Sequence, residues 1–308
     1  MFNKGILDDF IKKDSELPKA IIIYWPTACW KTSMSIDVAK YLDSEVISAD
    51  SRQIYRKLNI GTWKIKEEEK MGIPHHMIDI LDIDKDYSVS AYKNEVGGII
   101  SKLHASGRIP VICWWTGLYL DAIAFNFEIP EIKADWDYRD ELEKIRLEKW
   151  NEHLWKMLEE ADSDYAHEIE INNFRYVMRW LEVLRQTWVS KKELKKKLPP
   201  IYDILFMTPY DWDRARLYSR INDRIDEMFK DGLVEETKEI LESGFSKTDF
   251  GLNTIWYKEV ISYLEWEISL DECMNLVKQH NRNYAKRQLT WFRRYENWNS
   301  LNNHLMMQ

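Results

Sequence analysis

An unbroken apolar segment near the N-terminus, followed by a polar loop and a helix-like pattern, most constrains how this chain can fold. Residues 19–25 read K-A-I-I-I-Y-W, and continuous β-branched apolar sequence is typical of a strand buried on both faces of a parallel sheet. After a polar turn, residues 32–42 have apolar side chains at helical spacing. Further strands are predicted at residues 45–49, 108–113 and 201–207, with a helix at 87–106. Strands that alternate with helices predict an α/β fold with a doubly wound parallel sheet.

A long, charged, helix-like segment interrupts this pattern. Residues 138–160 and 173–186 have apolar side chains three and four positions apart, which predicts two helices. We therefore predict a helical insertion at residues 132–200, within a core formed by residues 1–131 and 201–308. A basic run near its end contains Lys191, Lys192, Lys195, Lys196 and Lys197. The rest of the chain is predicted to be mainly helical, at residues 214–229, 233–243, 255–264 and 269 to about 294.

The composition excludes several classes of protein. The chain has 308 residues and 45% hydrophobic content, enough for a substantial core. No run of 18 apolar residues predicts a membrane span, and residues 1–20 carry charges that a signal peptide would lack. Three widely spaced cysteines predict neither a zinc site nor a redox pair. We expect a monomer that stays in the cytoplasm, and the net charge of -8 argues against indiscriminate nucleic-acid binding.

The loop after the first strand has the spacing of a phosphate-binding motif. Residues 25–32 match G-x-x-x-x-G-K-[ST], but both glycine positions hold tryptophan; the residues are Trp25, Pro26, Thr27, Ala28, Cys29, Trp30, Lys31 and Thr32. In such a loop the backbone N–H groups bind phosphate, the lysine adds positive charge and the hydroxyl holds Mg²⁺. Lys31 and Thr32 match those last two roles, whereas two indole rings should block the site. Alone, the motif is equally consistent with an ordinary proline-containing turn.

Further motifs remove this ambiguity, because they run in order over nearly the whole chain. They are V-I-S-A-D-S-R-Q-I-Y at 46–55, I-G-T-W-K at 60–64, I-P-H-H-M-I-D-I at 73–80, Y-S-V-S-A-Y at 87–92, W-W-T-G-L-Y at 114–119, R-Y-V-M-R-W-L-E-V at 175–183, D-R-A-R-L-Y-S-R-I at 213–221, I-W-Y-K-E at 255–259 and Y-A-K-R-Q-L-T-W-F-R-R at 284–294. As a set they closely resemble the tRNA dimethylallyltransferases.

The resemblance implies both a fold and an activity. The fold would be a core like that of the P-loop NTPases, in which the loop holds the leaving diphosphate. The activity would be Mg²⁺-dependent transfer of a dimethylallyl group from dimethylallyl diphosphate to N6 of the adenine next to the tRNA anticodon. The helical insertion would grip the anticodon stem-loop.

The chemistry of this transfer assigns roles to three residues. Adenine N6 is a poor nucleophile until a carboxylate accepts its proton, and Asp50 follows a predicted strand at the sheet edge where ligands bind. We therefore predict that Asp50 is the general base. Thr32 with its metal ion and Arg214 would stabilise the leaving diphosphate. Arg220 and Arg224 could take part or could be structural.

Two groups of residues are predicted to contact the tRNA. Ser48, Ser51 and Gln53 flank the predicted base and would recognise an extruded adenine, with Arg52 as a further tRNA contact. Thr116 and Gly117 follow a strand end and would line the substrate channel. Helix capping and turn formation are alternative roles for them. On the last helix, Lys286, Arg287 and Arg293 are interleaved with aromatic residues, as on an RNA-facing helix, although an ordinary solvated helix has the same pattern. His75 and His76 are adjacent and predict structure or RNA contact rather than a metal site.

The tryptophans are abnormally frequent, with 15 against only 10 glycines. Eight of them match family positions that are typically glycine: Trp25, Trp30, Trp114, Trp115, Trp150, Trp188, Trp256 and Trp266. Trp63 and Trp180 match small residues, usually alanine, whereas Trp291 matches a tryptophan of the family. Because GGA and TGA differ in one base, we hypothesise that the source organism reads TGA as glycine, whereas this sequence was translated with TGA as tryptophan.

If the tryptophans are real, the phosphate site would be filled by indole rings. A non-catalytic homologue that still binds RNA then becomes the alternative. A small-molecule kinase on the same fold is a further alternative, but the motifs at residues 175–183 and 284–294 disfavour it.

Overall fold

A parallel sheet forms the centre of the larger of two compact units. The computed structural model describes residues 2–24, 26–28, 31–114, 116–126, 132, 134–190, 198–208 and 213–305. Within these residues the sheet has the strand order β3-β2-β4-β1-β5. The strands are β1 (Lys19–Tyr24), β2 (Val46–Ser48), β3 (His75–His76), β4 (Val111–Trp114) and β5 (Asp203–Met207). The predicted α/β class is confirmed.

The first strand is central because its side chains can be buried on both faces. Residues 20–24 are buried, and β1 pairs in parallel with β4 on one side and β5 on the other. Ile21 is in register with both Val111 and Leu205. Continuous apolar sequence is what such a doubly covered strand requires.

The edge strand β3 was not predicted, because two histidines show no apolar run. Polar contacts hold it instead: His75 Nδ1 lies 2.8 Å from the carbonyl of Ile73, and His76 Nε2 lies 2.6 Å from Glu45 Oε2. These contacts fit the structural role expected for the pair. Among the described residues no group of three or more His, Cys, Asp or Glu side chains could hold a metal ion.

Helices surround this sheet in the first unit, which comprises residues 1–124 and 200–308. They are α1 (Lys4–Lys12), α2 (Lys31–Tyr41), α3 (Glu67–Lys70), α4 (Val89–Ala105), α5 (Gly117–Ala124), α9 (Arg214–Lys230), α10 (Leu233–Glu242), α11 (Tyr257–Leu264) and α12 (Leu270–Leu305). Residues such as Ile221, Tyr257 and Leu289 form one apolar cluster of this unit. The last helix continues to residue 305, beyond the predicted end near 294.

The second unit, residues 125–199, is helical. It contains α6 (Trp136–Ala161), α7 (Ser163–Ala166) and α8 (Phe174–Thr187), which pack around Leu142, Leu158 and Val177. The prediction of one continuous helix at 138–160 was wrong, because α6 is interrupted at Trp150, where φ is 67° and ψ is 174°. The basic run at residues 191–197 lies outside the described residues.

No helix in the described part of the chain is both long enough and apolar enough to cross a lipid bilayer.

Candidate active site at the carboxyl edge of the sheet

The ends of β1, β2 and β4 bring the predicted site residues to one edge of the sheet. The loop at residues 25–30 follows β1, Asp50 follows β2 and Thr116 follows β4. Because β4 lies between β1 and β2, these three connections are neighbours. The Thr116 N–H donates to the carbonyl of Ala49 at 3.1 Å, which ties two of them together. Ligands of open parallel sheets bind at this edge.

Asp50 is buried there, with a side chain oriented by its own backbone neighbours. The residue is 3% exposed. Its Oδ1 accepts hydrogen bonds from the N–H groups of Arg52 at 2.7 Å and Gln53 at 3.3 Å. These bonds fix the rotamer of the carboxylate, as a general base requires. Asp50 therefore also caps the turn that follows β2.

Hydroxyl groups next to Asp50 connect the turns after β2 and β4. The Ser51 N–H donates to Thr116 Oγ1 at 3.0 Å, and the Thr116 hydroxyl lies 3.2 Å from Ser51 Oγ. Arg52 is half-buried, and its guanidinium donates to the carbonyl of Phe250 at 3.2 Å. The predicted residues Ser51, Arg52 and Thr116 thus have structural contacts beside the base.

Three buried oxygens at this edge have no hydrogen-bond partner within the described part of the chain. They are Thr27 Oγ1, Ser48 Oγ and Gln53 Oε1. Gln53 is held in place through its Nε2, which donates to the carbonyls of Thr62 and Trp63, both at 3.1 Å. A buried polar atom without a partner costs about 1–3 kcal/mol, so such atoms indicate a place for a polar ligand.

The structure describes only part of the phosphate-binding motif at residues 25–32. Pro26, Thr27 and Ala28 precede α2, whose backbone begins at Lys31, and Ala28 has a left-handed φ of 63°. Trp25, Cys29 and Trp30 lie outside the described residues, as do the side chains of Lys31 and Thr32. The described part thus consists of the first limb of the loop and the start of the helix, where a phosphate motif binds its anion.

The predicted arginines occupy two different environments on α9. Arg214 is exposed at the first turn of this helix. Arg224 is 7% exposed, and its guanidinium lies 5.4 Å from the centroid of the Trp63 ring. This burial supports the structural alternative for Arg224.

The last helix contributes the remaining predicted residues. Lys286, Arg287 and Arg293 are exposed along α12. Trp291 of the same helix packs against Gly117, where an added Cβ would lie 2.4 Å from Trp291 Cδ1. Gly117 is therefore required for close packing of α5 against α12.

Two polar residues of this region were not predicted as site residues. Gln288 of α12 accepts a hydrogen bond from the Thr27 N–H at 3.0 Å. Lys64 has a side chain only 6% exposed, and its ammonium donates to the Tyr55 carbonyl at 2.8 Å and to Asp79 at 2.5 Å. Burial lowers the pKa of Lys64, and the carboxylates of Asp79, Glu236 and Asp50 oppose this effect. Lys64 lies in the motif at residues 60–64 and Gln288 in the motif at residues 284–294. A sequence motif does not show that a side chain is buried or which atoms it contacts.

The parallel five-stranded sheet, with a buried carboxylate and unpaired buried oxygens at its carboxyl edge, defines the class of α/β proteins that bind ligands at this edge. Comparison with known proteins narrows this class. The family described as IPP transferase matches residues 53–295. This chain belongs to that family, as its motifs predicted.

Proteins of similar sequence match this chain over nearly its full length. The chain is 41% identical over 290 residues to the tRNA dimethylallyltransferase of Alkaliphilus oremlandii, covering 93% of this chain and 92% of that one. It is 39% identical over 286 residues to the tRNA dimethylallyltransferase of Acetivibrio thermocellus, covering 91% and 90%.

Solved structures show the same relationship. The tRNA isopentenylpyrophosphate transferase of Bacillus halodurans is 38% identical, with a TM-score of 0.65 over 89% of this chain and 86% of that one. A eukaryotic dimethylallyltransferase described as acting on tRNA is 29% identical, with a TM-score of 0.75 over 89% and 70%.

Proposed function

We propose that this protein transfers the dimethylallyl group of dimethylallyl diphosphate to N6 of the adenine next to the anticodon of tRNA. The observation that carries the proposal is Asp50, a buried and oriented carboxylate at the same edge of the sheet as the phosphate loop. The relatives named tRNA dimethylallyltransferases support the substrates.

The proposed step is a substitution at the first carbon of the dimethylallyl group. Adenine N6 forms a bond to this carbon, the bond from the carbon to the diphosphate oxygen breaks, and diphosphate leaves with the bonding electrons. The N6 proton passes to the carboxylate of Asp50. Because Asp50 is held by two backbone N–H groups, it does not have to reorient during this transfer.

The loop after β1 would bind the leaving diphosphate. The first N–H groups of a helix have no carbonyl partner within that helix, and its N-terminus carries a partial positive charge, so the start of α2 at Lys31 suits an anion. Lys31 and Arg214 would add charge, and the hydroxyl of Thr32 is an oxygen donor of the kind that Mg²⁺ prefers. A bound Mg²⁺ would neutralise charge on the diphosphate. The buried hydroxyl of Thr27 agrees with a polar ligand here.

The adenine would be recognised by the polar groups around Asp50. Ser48 and Gln53 offer buried oxygens that lack partners in the described structure, while Ser51, Arg52, Thr116 and Gly117 would shape the walls. Lys286, Arg287 and Arg293 would contact tRNA phosphates, and the helical unit would contact the anticodon arm. We propose that the enzyme acts as a monomer in the cytoplasm.

A transfer assay tests the proposal against its alternatives. The protein, made with tryptophan and with glycine at the eight positions, is incubated with labelled dimethylallyl diphosphate and unmodified tRNA. We expect label in tRNA with the glycine version, and none when guanine replaces the adenine beside the anticodon. Binding of tRNA without transfer by either version would favour the non-catalytic homologue. Phosphoryl transfer from ATP to a small molecule, without prenyl transfer, would favour the kinase.

A further inference from the structure

The phosphate loop is attached to a helix that lies 261 residues away in the chain. The Thr27 N–H donates to Gln288 Oε1 at 3.0 Å, and the two residues are 0% and 4% exposed. Backbone N–H groups of a phosphate loop usually face the ligand. The N–H of Thr27 instead has a protein partner, so α12 holds this limb of the loop.

The same turn of α12 also faces the proposed base. Tyr284, one turn before Gln288, forms a hydrogen bond with it. Burial strongly raises the pKa of Tyr284, and the charge of Asp50 raises it further. The phenol therefore stays protonated close to Asp50. Through Tyr284 and Gln288, one helical turn contacts the loop and lies in the field of the carboxylate.

We propose that Gln288 is a positioning residue, which fixes the first limb of the phosphate loop relative to Asp50. This inference rests on the proposed function, since it assigns the bound diphosphate to that loop. Gln288 need not touch either substrate. Its loss would leave this limb of the loop less well fixed, so that the loop binds the diphosphate more weakly.

Three variants distinguish positioning from a structural role. Gln288→Met keeps the size but removes the acceptor, whereas Gln288→Glu keeps an acceptor for the Thr27 N–H. Asn281→Leu is the matched control, because Asn281 is a buried amide on the same helix that donates to the carbonyl of Val277. The variants are made in the version of the enzyme that transfers the prenyl group.

Two measurements are then compared. For Gln288→Met we expect faster hydrogen exchange of the Thr27 amide and a KM for dimethylallyl diphosphate raised about tenfold, as for one lost hydrogen bond. The KM for tRNA should not change. Gln288→Glu should keep the amide protected, and Asn281→Leu should change neither quantity, whatever its melting temperature.

Unchanged exchange and unchanged KM in Gln288→Met would overturn the proposal, and so would an equal rise of KM in Asn281→Leu. Failure of the proposed function is distinguishable, because neither the tryptophan nor the glycine version would then transfer a prenyl group, while the exchange measurement still reports on the contact between Thr27 and Gln288.

A second inference concerns the tryptophans, and backbone geometry carries it independently. Among the described residues, the non-glycine residues with positive φ are Ala28, Asp43, Lys57, Trp63, Met71, Met77, Asp79, Asn126, Trp150, Trp188, Trp256 and Trp266. Five of these 12 are tryptophans, although tryptophan makes up only 15 of 308 residues. A bulky residue with positive φ is an outlier, so the excess calls for a specific cause.

Each of four positions has a conformation that glycine adopts without strain. Trp188 ends α8 in the left-handed region, and Trp266, with φ of 62°, follows α11; both are usual places for glycine. Trp150 has φ 67° and ψ 174°, a region that is essentially restricted to glycine. Trp256 has φ 85° and ψ -61°, which corresponds to a rare and strained turn.

The environments of three of these four side chains agree with this interpretation, whereas Trp256 is buried. The indoles of Trp150, Trp188 and Trp266 are 74%, 89% and 90% exposed, so they gain little from packing. Trp291 differs: its backbone is helical, and its ring packs against Gly117 and lies 4.2 Å from the guanidinium of Arg294. A positive φ therefore distinguishes these four residues from Trp291.

We infer that the native polypeptide carries glycine at residues 150, 188, 256 and 266. Translation of TGA as tryptophan, where the source organism reads TGA as glycine, accounts for all four at once. The same codon would restore both glycines of the phosphate loop. Trp114 lies in β4, where φ gives no reason for glycine.

Mass spectrometry of the native protein tests this inference. Tryptic peptides 248–258 and 259–278 contain Trp256 and Trp266, and peptide 288–293 contains Trp291 as an internal control. We expect glycine in the first two peptides and tryptophan in the third. Tryptophan at either position 256 or 266 would overturn the inference, and glycine at position 291 would overturn the distinction drawn from packing.

Discussion

Asp50 has two separable roles at the scale of a single residue. As the proposed base it accepts a proton, and as a turn cap it accepts hydrogen bonds from the N–H groups of Arg52 and Gln53. A substitution to alanine removes both roles, whereas asparagine can keep the cap and removes only the base. The pair of variants can therefore attribute a loss of rate to chemistry.

We predict that Asp50→Asn and Asp50→Ala both lower the rate of transfer by about 10²–10⁴-fold, the usual contribution of a general base. The affinity for tRNA should change little, because the carboxylate acts in chemistry rather than in docking. Single-turnover rates and tRNA binding are measured side by side. Asp50→Asn that loses affinity as much as rate would contradict the assignment.

Gly117 provides a second residue-scale prediction. Gly117→Ala should destabilise the protein by about 1–3 kcal/mol, because its Cβ would lie 2.4 Å from the ring of Trp291. Gly98→Ala on α4 is the control, since nothing lies within 4 Å of its added Cβ, and it should stabilise by about 0.5–1 kcal/mol. Urea denaturation measures both, and a gain in stability for Gly117→Ala would show that the packing is looser than described.

At the scale of elements, one buried carboxylate joins the two long helices of the helical unit. Glu182 of α8 is fully buried and accepts hydrogen bonds from the Asp135 N–H at 2.7 Å and from Arg139 of α6 at 3.0 Å; Arg179 also contacts it. Burial alone would raise the pKa of Glu182, but these donors outweigh it and hold the pKa below its usual value.

The lowered pKa predicts an acid-sensitive helical unit. A carboxylate with a depressed pKa stabilises the fold above its unfolded pKa, near 4.3 for Glu, and this contribution is lost as the pH falls through the lower folded value. Glu182→Gln should lower the free energy of unfolding by about 2–3 kcal/mol at neutral pH. This loss is smaller than for a fully buried ion pair, because the side chains of Arg139 and Arg179 both reach solvent. The substitution should also make the free energy of unfolding depend less on pH in the acid range.

The control is Glu143→Gln, because Glu143 pairs with Arg146 within α6 at a partly exposed site. Its cost should stay below about 1 kcal/mol. Hydrogen exchange of α6 and α8 amides across the acid range reports both effects, and identical profiles for the two variants would refute the role of Glu182.

The whole molecule must bind a polyanion although its net charge is -8. Basic residues must therefore be concentrated on one surface. Lys286 and Arg293 are exposed on α12 and seven residues apart, which places them on the same helix face. Arg287 is exposed beside them, with its guanidinium 5.7 Å from the ring of Tyr284.

We predict that replacing Lys286, Arg287 and Arg293 by alanine weakens tRNA binding and lowers its salt dependence. The slope of log Kd against log salt should fall by about 2, since each lost phosphate contact removes about 0.7–0.9. Lys278→Ala is the control on the same helix, because its ammonium pairs with Asp226 at 2.5 Å. An unchanged slope in the triple variant would place the tRNA elsewhere.

Much of the fold could be predicted because its signals are local. The strands β1, β2, β4 and β5 are recognisable as runs of apolar residues. Asp50 follows β2 and Thr116 follows β4, so parallel pairing of these strands is enough to bring the two residues to one edge of the sheet. The strand β3 was missed because it consists of two histidines. The break at Trp150 was missed because apolar residues keep their helical spacing on both sides of it, so the pattern does not show that one residue has a positive φ.

The sequence by itself determined the family, the α/β class and the position of the proposed base, because these depend on motifs and short-range periodicity. Only the tertiary structure revealed the burial of Lys64, the partner of Thr27 and the positive φ of five tryptophans. The physical reason is distance along the chain: Thr27 and Gln288 meet only after the whole sheet and its last helix are packed. The phosphate loop was visible as a spacing of residues, whereas the helix that holds it was visible only in three dimensions.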